Sequence, residues 1–73
     1  MATFEERFLE LRKEKGVTQK VVGNVLGIGD RAIRFYEIGK RRPDFDGLIA
    51  LAEYFGVSVD YLVGRTDKRE VNR

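Results

Sequence analysis

Residues 18–42 read TQKVVGNVLGIGDRAIRFYEIGKRR, and this stretch decides the fold. The pattern is typical of two short helices around one tight corner, with the second helix beginning at Gly29 or Asp30. Gly27 is expected at the corner, because a residue in the left-handed region reverses the chain direction there and glycine adopts that conformation without a Cβ penalty. Gly39 is expected to end the second helix, and three basic residues follow it directly.

The two helices of this stretch each carry an apolar side. In the first helix, capped by Thr18, four residues are predicted to face inward: Val21, Val22, Val25 and Leu26. In the second helix, Ile33 and Tyr36 are predicted to face inward. Gly23 is expected where the first helix passes close to the second, so that a side chain larger than that of alanine would push the two apart.

Three further helices are predicted around this pair. Apolar residues recur at helical spacing in the first of them, at Phe4, Phe8 and Leu11. Thr3 and Glu6 fit a capping box at its start. Another helix is expected to begin at a cap formed by Asp44 or Asp46, and a short last helix covers residues 59–63. The sequence therefore predicts an all-α fold of five helices.

The composition limits both the size of the protein and its chemistry. The 73 residues have room for one domain, predicted over residues 1–64, with a flexible polar tail or the start of a linker over 65–73. Cysteine and histidine are absent, which removes thiolate metal sites and the commonest general base. We therefore expect no metal, no cofactor and no enzymatic activity. No apolar run approaches the ~18–20 residues that span a bilayer, so a cytoplasmic protein without membrane contact is expected.

Charge is distributed unevenly along the chain, although the formal net charge is only +2. Residues 16–42 carry six lysines and arginines against two carboxylates, and residues 43–64 carry four carboxylates and no basic residue. One basic segment beside one acidic segment is typical of a protein that binds a polyanion. Charge alone leaves an ordinary solvated surface with chance clustering equally open.

A set of short motifs runs through most of the chain in a fixed order. They are LRKEKG (11–16), TQ (18–19), LGI (26–28), Ile33, YE (36–37), GK (39–40), Pro43, LA (51–52), FGVSVDYL (55–62) and GRT (64–66). In this order and spacing they resemble the helix-turn-helix domain of the Cro/CI (Xre) family, to which lambdoid phage repressors belong. The resemblance runs from about Phe8 to Gly64. It implies a five-helix, lambda-repressor-like DNA-binding domain with its helix-turn-helix motif at about residues 18–38.

The resemblance also implies roles for individual residues. The helix that opens at Gln19 braces against the DNA backbone, and the helix that opens near Asp30 enters the major groove. Asp30, Arg31 and Arg34 match the base-reading positions, and Phe35, which departs from the family pattern, is predicted to join them. The implied contacts to the DNA backbone are Gln19, Lys20, Gly29, Lys40, Arg41 and Arg42. Arg12 and Glu37 match a partly buried ion pair that ties the first helix to the recognition helix.

Several of these residues have a second interpretation. Arg31 and Arg34 are the best base readers, because a guanidinium can bond O6 and N7 of one guanine, yet both can be solvated or Arg34 can pair with Asp30. Asp30 either accepts from N4 of cytosine or simply favours the helix N-terminus. Phe35 either touches a thymine methyl group or packs against a neighbouring helix. The basic run at 40–42 either contacts phosphates or is a solvated charge run.

The function implied is that of a sequence-specific double-stranded DNA-binding regulator of transcription, of the repressor type. It is expected to bind a pseudo-palindromic operator as a homodimer, with dimer contacts around residues 57–63, whose apolar content exceeds what a short helix can bury. Asp30, Phe35 and Ile38 depart from the family pattern and leave the base code open. Because an acid and two apolar groups make a poor phosphate surface, the alternative is a protein-interaction module on the same fold, such as an antitoxin or a regulator subunit.

Overall fold

The computed structural model describes residues 2–70, and five α-helices form this part of the chain. Their bounds are Phe4–Lys15 (α1), Gln19–Leu26 (α2), Asp30–Glu37 (α3), Phe45–Phe55 (α4) and Val59–Leu62 (α5). The described residues include no strand, so the predicted all-α fold class is confirmed. None of these helices combines the length and the apolar character that crossing a bilayer requires.

Short polar side chains begin four of the five helices. Each accepts a hydrogen bond from a backbone N–H in the first turn, and the pairs are Thr3 with Glu6, Thr18 with Val21, Asp44 with Gly47 and Ser58 with Tyr61. At Thr3 the bond is reciprocal, since its own N–H donates to the Glu6 carboxylate at 3.0 Å. This capping box was predicted, and it lowers the pKa of Glu6. Helix α3 differs, because its N-cap is Gly29, which has no side chain to close the first turn.

The core takes one fully buried side chain from each helix. These residues are Phe8, Val22, Ile33, Leu51 and Leu62. Rings pack around them, and Phe8 lies 6.1 Å from Tyr36 and 6.0 Å from Phe55 between ring centroids. Burying one such side chain contributes roughly 1.5–3 kcal/mol, so the five together fix how the helices pack around one shared core.

The predicted inward side of α2 is only partly right. Val22 is completely buried and Leu26 packs partly against the core, but Val21 and Val25 are 41% and 40% exposed. The buried stripe of this eight-residue helix runs through Val22, Gly23 and Leu26 and turns Val21 and Val25 toward solvent. Apolar character alone does not select this stripe, because packing against the turn at Gly23 sets the rotation of the helix.

The corner between α2 and α3 is formed as predicted, with Gly27 in the left-handed region at a φ of 70°. The close approach at Gly23 is tighter than expected and involves the turn rather than α3 itself. A Cβ built at Gly23 would lie 2.6 Å from the carbonyl oxygen of Ile28 and 3.3 Å from the carbonyl carbon of Gly29. Even alanine is therefore too large at this position.

The apolar residues near α5 are buried to a greater extent than expected. Val57, Tyr61 and Leu62 are all at most 5% exposed, and Val59 is the large apolar residue of this region that stays well exposed, at 37%. The expectation of surplus apolar surface over 57–63 is therefore wrong for most of the segment. Helix α5 packs against both α1 and α4, which buries more of a short helix than one neighbour could.

Residues 65–70, which we call the C-terminal segment, fold back onto the domain. The backbone N–H of Ser58 donates to the carbonyl oxygen of Arg69 at 2.8 Å, and Asp67 pairs with Arg7 at 2.7 Å. The sequence predicted a flexible polar tail over 65–73, and its described part instead follows the surface of α1 and α5. Residues 71–73 of that prediction lie outside the described residues.

Arg69 makes most of the side-chain contacts of the C-terminal segment. Its guanidinium donates to both carboxylate oxygens of Glu14, at 2.7 and 2.8 Å, and to the Tyr61 hydroxyl at 3.2 Å. The hydrogen bonds from Arg69 lower the pKa of the Glu14 carboxyl below its ordinary value of 4.5. Arg69 and Glu14 are thus paired with one another on this side of the molecule.

We expect Gly23→Ala to lower the free energy of unfolding by about 1–3 kcal/mol, because the methyl group would overlap the Ile28 carbonyl. Gly29→Ser is the matched control, since a Cβ there meets no atom within 4 Å and a hydroxyl could cap α3. Its stability should be unchanged or higher by a few tenths of a kcal/mol. Urea denaturation followed by circular dichroism measures both, and equal stability of Gly23→Ala and the wild type would contradict the close approach.

We expect Arg69→Gln to raise the pKa of Glu14 toward 4.5, because the bonds that favour its ionised form are lost. A lowered pKa stabilises the fold above the pKa of the unfolded chain, and this stabilisation disappears as the pH falls through the pKa of the folded state. The variant should therefore lose less stability than the wild type on acidification. Side-chain carboxyl titration by NMR measures the pKa directly. Glu6, whose pKa is set by Thr3, is the internal control, and an unchanged Glu14 pKa would contradict the contact.

Candidate nucleic-acid interface

The outward side of α3 carries three of the four predicted base-reading residues. Asp30, Arg31 and Arg34 are exposed, while Ile33 on the opposite side is completely buried. Together with Gln19 at the start of α2, these three line a shallow cleft of about 350 Å³. The structure therefore brings predicted base readers and a predicted backbone contact onto one surface.

Basic side chains on this surface are exposed and form no ion pair within residues 2–70. The six basic residues of 16–42, which are Lys20, Arg31, Arg34, Lys40, Arg41 and Arg42, are all exposed. Within residues 2–70 the ion pairs are made by Arg7, Arg12 and Arg69 instead. The alternative of an ion pair between Asp30 and Arg34 is thus not realised in the described structure. Unneutralised positive charge is what a phosphate backbone attracts.

Arg12 and Glu37 form the ion pair that the resemblance implied. The Arg12 Nε donates to one carboxylate oxygen of Glu37 and its Nη2 to the other at 3.3 Å, and Nη1 donates to the Val17 carbonyl at 2.9 Å. The two side chains are 16% and 7% exposed. The pair therefore joins the end of α1 to the end of α3 in a largely dry environment.

Gln19 is attached to the same pair, which the sequence did not indicate. Its side-chain amide donates to the Glu37 carboxylate at 3.0 Å. Gln19 and Glu37 are 18 residues apart, so no local sequence pattern indicates this contact. An amide nitrogen has two hydrogens, so the second one remains available to an acceptor outside the protein. Glu37 thus orients the residue that was predicted to grip a phosphate.

Within the described residues Phe35 lies against two arginines, and its predicted contact with a thymine methyl group stays a prediction. Its ring is half-buried but lies outside the hydrophobic core, and the guanidinium carbons of Arg31 and Arg41 lie 5.7 and 5.3 Å from its centroid. Its carbonyl oxygen accepts hydrogen bonds from the backbone N–H groups of Lys40 and Arg41, at 3.0 and 3.3 Å. The four-residue spacing of Arg31 and Phe35 along α3 could have indicated the contact between these two side chains. The contact of Arg41 with the ring depends on the path of the loop.

Gly29 and Asp30 open α3 without a side-chain cap. Asp30 is exposed in the first turn, where its charge favours the positive end of the helix dipole. Both interpretations of this carboxylate, as a base contact and as a helix-stabilising charge, remain compatible with that position.

A larger groove of about 600 Å³ lies between α2, the start of α4 and the loop that carries Lys40, Arg41 and Arg42, which we call the basic loop. Tyr36, Arg41 and Asp44 are among the residues that line it. Burial raises the pKa of the Tyr36 phenol above its ordinary value of 10.0, and the Asp44 carboxylate raises it further against the opposing effect of Arg41. The phenol is therefore protonated throughout the neutral range.

Comparisons with known proteins place this geometry among regulators of transcription. A family model described as helix-turn-helix matches residues 8–62. The HTH-type transcriptional regulator ImmR of Bacillus subtilis is 37% identical over 67 residues, which make up 92% of this chain and 53% of ImmR. The chain spans about half the length of the curated relatives it matches.

Two solved structures share the whole arrangement of helices. A transcriptional regulator from Listeria innocua superposes with a TM-score of 0.84 at 35% identity, over 97% of this chain and 64% of that one. The P22 c2 repressor protein, in complex with a synthetic operator, superposes with a TM-score of 0.83 at 27% identity, over 90% of this chain and 100% of that one. The fold of this chain is thus the fold of a repressor structure solved in complex with an operator.

We expect Glu37→Gln to lower the free energy of unfolding by about 3 kcal/mol, because it leaves the Arg12 charge buried without its partner. Arg12→Met combined with Glu37→Met should lose less, since removing both charges avoids the stranded one. Urea denaturation of Arg12→Met, Glu37→Met and the variant that carries both changes forms a double-mutant cycle. A loss in the double variant equal to the sum of the single losses would contradict the pairing.

Proposed function

The chain belongs to the Cro/CI (Xre) family of helix-turn-helix domains, and we propose that it binds double-stranded DNA sequence-specifically as a transcriptional regulator of the repressor type. The observation that carries the proposal is the exposed side of α3 beside an unneutralised basic loop. It is supported by the likeness to the P22 c2 repressor, whose structure contains an operator. In the proposed complex α3 lies in the major groove, which at about 12 Å wide admits a helix.

Arg31 and Arg34 read bases in this proposal. Both are exposed on α3 and neither is held by a carboxylate within the described residues. An arginine that bonds O6 and N7 of guanine discriminates against other bases by about 1–3 kcal/mol. Asp30 lies beside them in the same cleft, where its carboxylate can accept from N4 of cytosine.

The remaining contacts go to the DNA backbone and set affinity rather than sequence preference. We assign them to Gln19, Lys20, Gly29, Lys40, Arg41 and Arg42, which lie at the start of α2, at the start of α3 and in the loop after α3. Each neutralised phosphate releases counterions, so affinity falls steeply with salt. The Gln19 amide, already oriented by Glu37, meets the backbone without further rearrangement.

Two copies of the domain are needed for a useful operator in this proposal, because one α3 covers only a few base pairs. A homodimer would place two half-sites with centres about 34–36 Å apart, on a pseudo-palindrome. Val59, exposed on α5, offers apolar surface for such contacts. This apolar surface is smaller than the sequence of residues 57–63 predicted. The matched segment covers about half of each curated relative. The homodimer is therefore proposed for this domain on DNA.

We expect Lys40→Ala to weaken binding to all duplexes alike and to reduce the dependence of log affinity on log salt by about one unit, because one phosphate contact is lost. Arg31→Ala should instead remove about 1–3 kcal/mol of preference at a single base position. Selection from a random duplex pool identifies the operator, and fluorescence anisotropy at several salt concentrations measures each affinity. Lys68→Ala, an exposed lysine in the C-terminal segment, is the control and should change neither quantity.

Two results would count against this account. An equal loss across all sequences for both variants would contradict the division between base and backbone contacts. A wild-type protein that fails to bind random duplex at low salt would favour the alternative, a module that binds a protein partner on the same fold.

A further inference from the structure

We propose that Phe35 is a positioning residue whose ring holds the guanidinium groups of Arg31 and Arg41 on the proposed DNA-binding surface. The ring thereby couples a base-reading side chain on α3 to a backbone-contacting side chain in the basic loop. This inference rests on the proposed function and deepens it, since it names the residue that orders two of its contacts.

The geometry places one aromatic ring within reach of two cations. The guanidinium carbons of Arg31 and Arg41 lie 5.7 and 5.3 Å from the centroid of Phe35. Cations are attracted to an aromatic ring within about 6 Å of its centroid, because the face of the ring is electronegative. Both distances fall within this range.

Two features of the backbone build the arrangement. Arg31 precedes Phe35 by four residues on α3, which places their side chains one above the other on the same side of the helix. Arg41 is brought back to the ring by the loop, whose N–H groups at Lys40 and Arg41 both donate to the Phe35 carbonyl. The position of Arg41 therefore follows from the end of α3 and not from the rest of the loop.

The other cations of the surface lack such support. Among residues 2–70, the arginines and lysines that lie over rings are Arg7, Lys15, Arg31, Arg41 and Arg69, so Arg34, Lys40 and Arg42 are not among them. Phe35 thus orders one base-reading and one backbone-contacting arginine of the proposed interface.

An aromatic ring orders an arginine in a way that suits a phosphate-binding surface. A carboxylate would also hold the side chain, but it would neutralise the charge, as Glu37 does for the buried Arg12. The ring restricts the long side chain and leaves the guanidinium donors free for the nucleic acid. Less conformational entropy is then lost on binding.

The first test needs no DNA. The ring current of Phe35 should shift the NMR signals of the Arg31 and Arg41 side-chain protons in the free protein. Phe35→Leu should return these signals to the positions of solvated arginine, and Phe35→Tyr, which keeps the ring, should preserve the shifts. Arginine signals that do not change in Phe35→Leu would overturn the inference.

The second test measures binding. Phe35→Leu should weaken binding to random duplex by about two- to five-fold, because the ring no longer holds Arg41. It should also reduce the preference for one base at the position read by Arg31. Phe35→Tyr should restore both. Ile38→Ala is the matched control, because it removes an exposed apolar side chain that lies beside the same loop and has no aromatic ring. Urea denaturation of each variant separates loss of binding from loss of folding.

A cycle of variants separates positioning from direct contact with DNA. In a background that carries both Arg31→Ala and Arg41→Ala, Phe35→Leu should cause no further loss of affinity. The same loss in both backgrounds would overturn the inference and indicate that the ring itself touches a base. A wild type with shifted arginine signals that binds no duplex would refute the proposed function, whereas duplex binding without those shifts would refute the positioning role alone.

Discussion

The partly buried ion pair between Arg12 and Glu37 is the interaction on which the geometry of the proposed DNA-binding surface depends. It joins the last turn of α1 to the end of α3, and through Gln19 it also reaches the start of α2. Two charges that are mostly removed from water must stay together, because separating them leaves one without compensation. The direction in which α3 presents its outer side is therefore fixed relative to the start of α2.

Local features of the fold could be predicted from the sequence because their causes lie within a few residues. Thr3, Thr18 and Asp44 cap helices through bonds to the third residue of each, and Gly27 takes the one conformation that the corner requires. The rotation of α2 could not be predicted, since four apolar residues on a short helix are compatible with more than one buried stripe. The contact of Gly23 with the Ile28 carbonyl selects the stripe, and that contact exists only after the turn is formed.

In the candidate interface, too, some features could be predicted from the sequence and others could not. The family resemblance placed Asp30, Arg31 and Arg34 on the outer side of α3, where the structure has them exposed, while their contacts with bases stay a prediction. The links that order the surface were not predictable, because Gln19 meets Glu37 across two helices and Arg41 meets Phe35 through the course of a loop. The contacts of the C-terminal segment were not predictable for the same reason, since its partners Ser58 and Arg7 are distant in sequence.

The pairing of Arg69 with Glu14, and of Arg7 with Asp67, neutralises charge at the C-terminal segment. In the basic loop, by contrast, no carboxylate within residues 2–70 pairs with Lys40, Arg41 or Arg42. A polyanion at a distance attracts this cluster of unpaired positive charge before the surfaces touch. Diffusional encounters are then biased toward the productive orientation, which raises the association rate independently of any contact made afterwards.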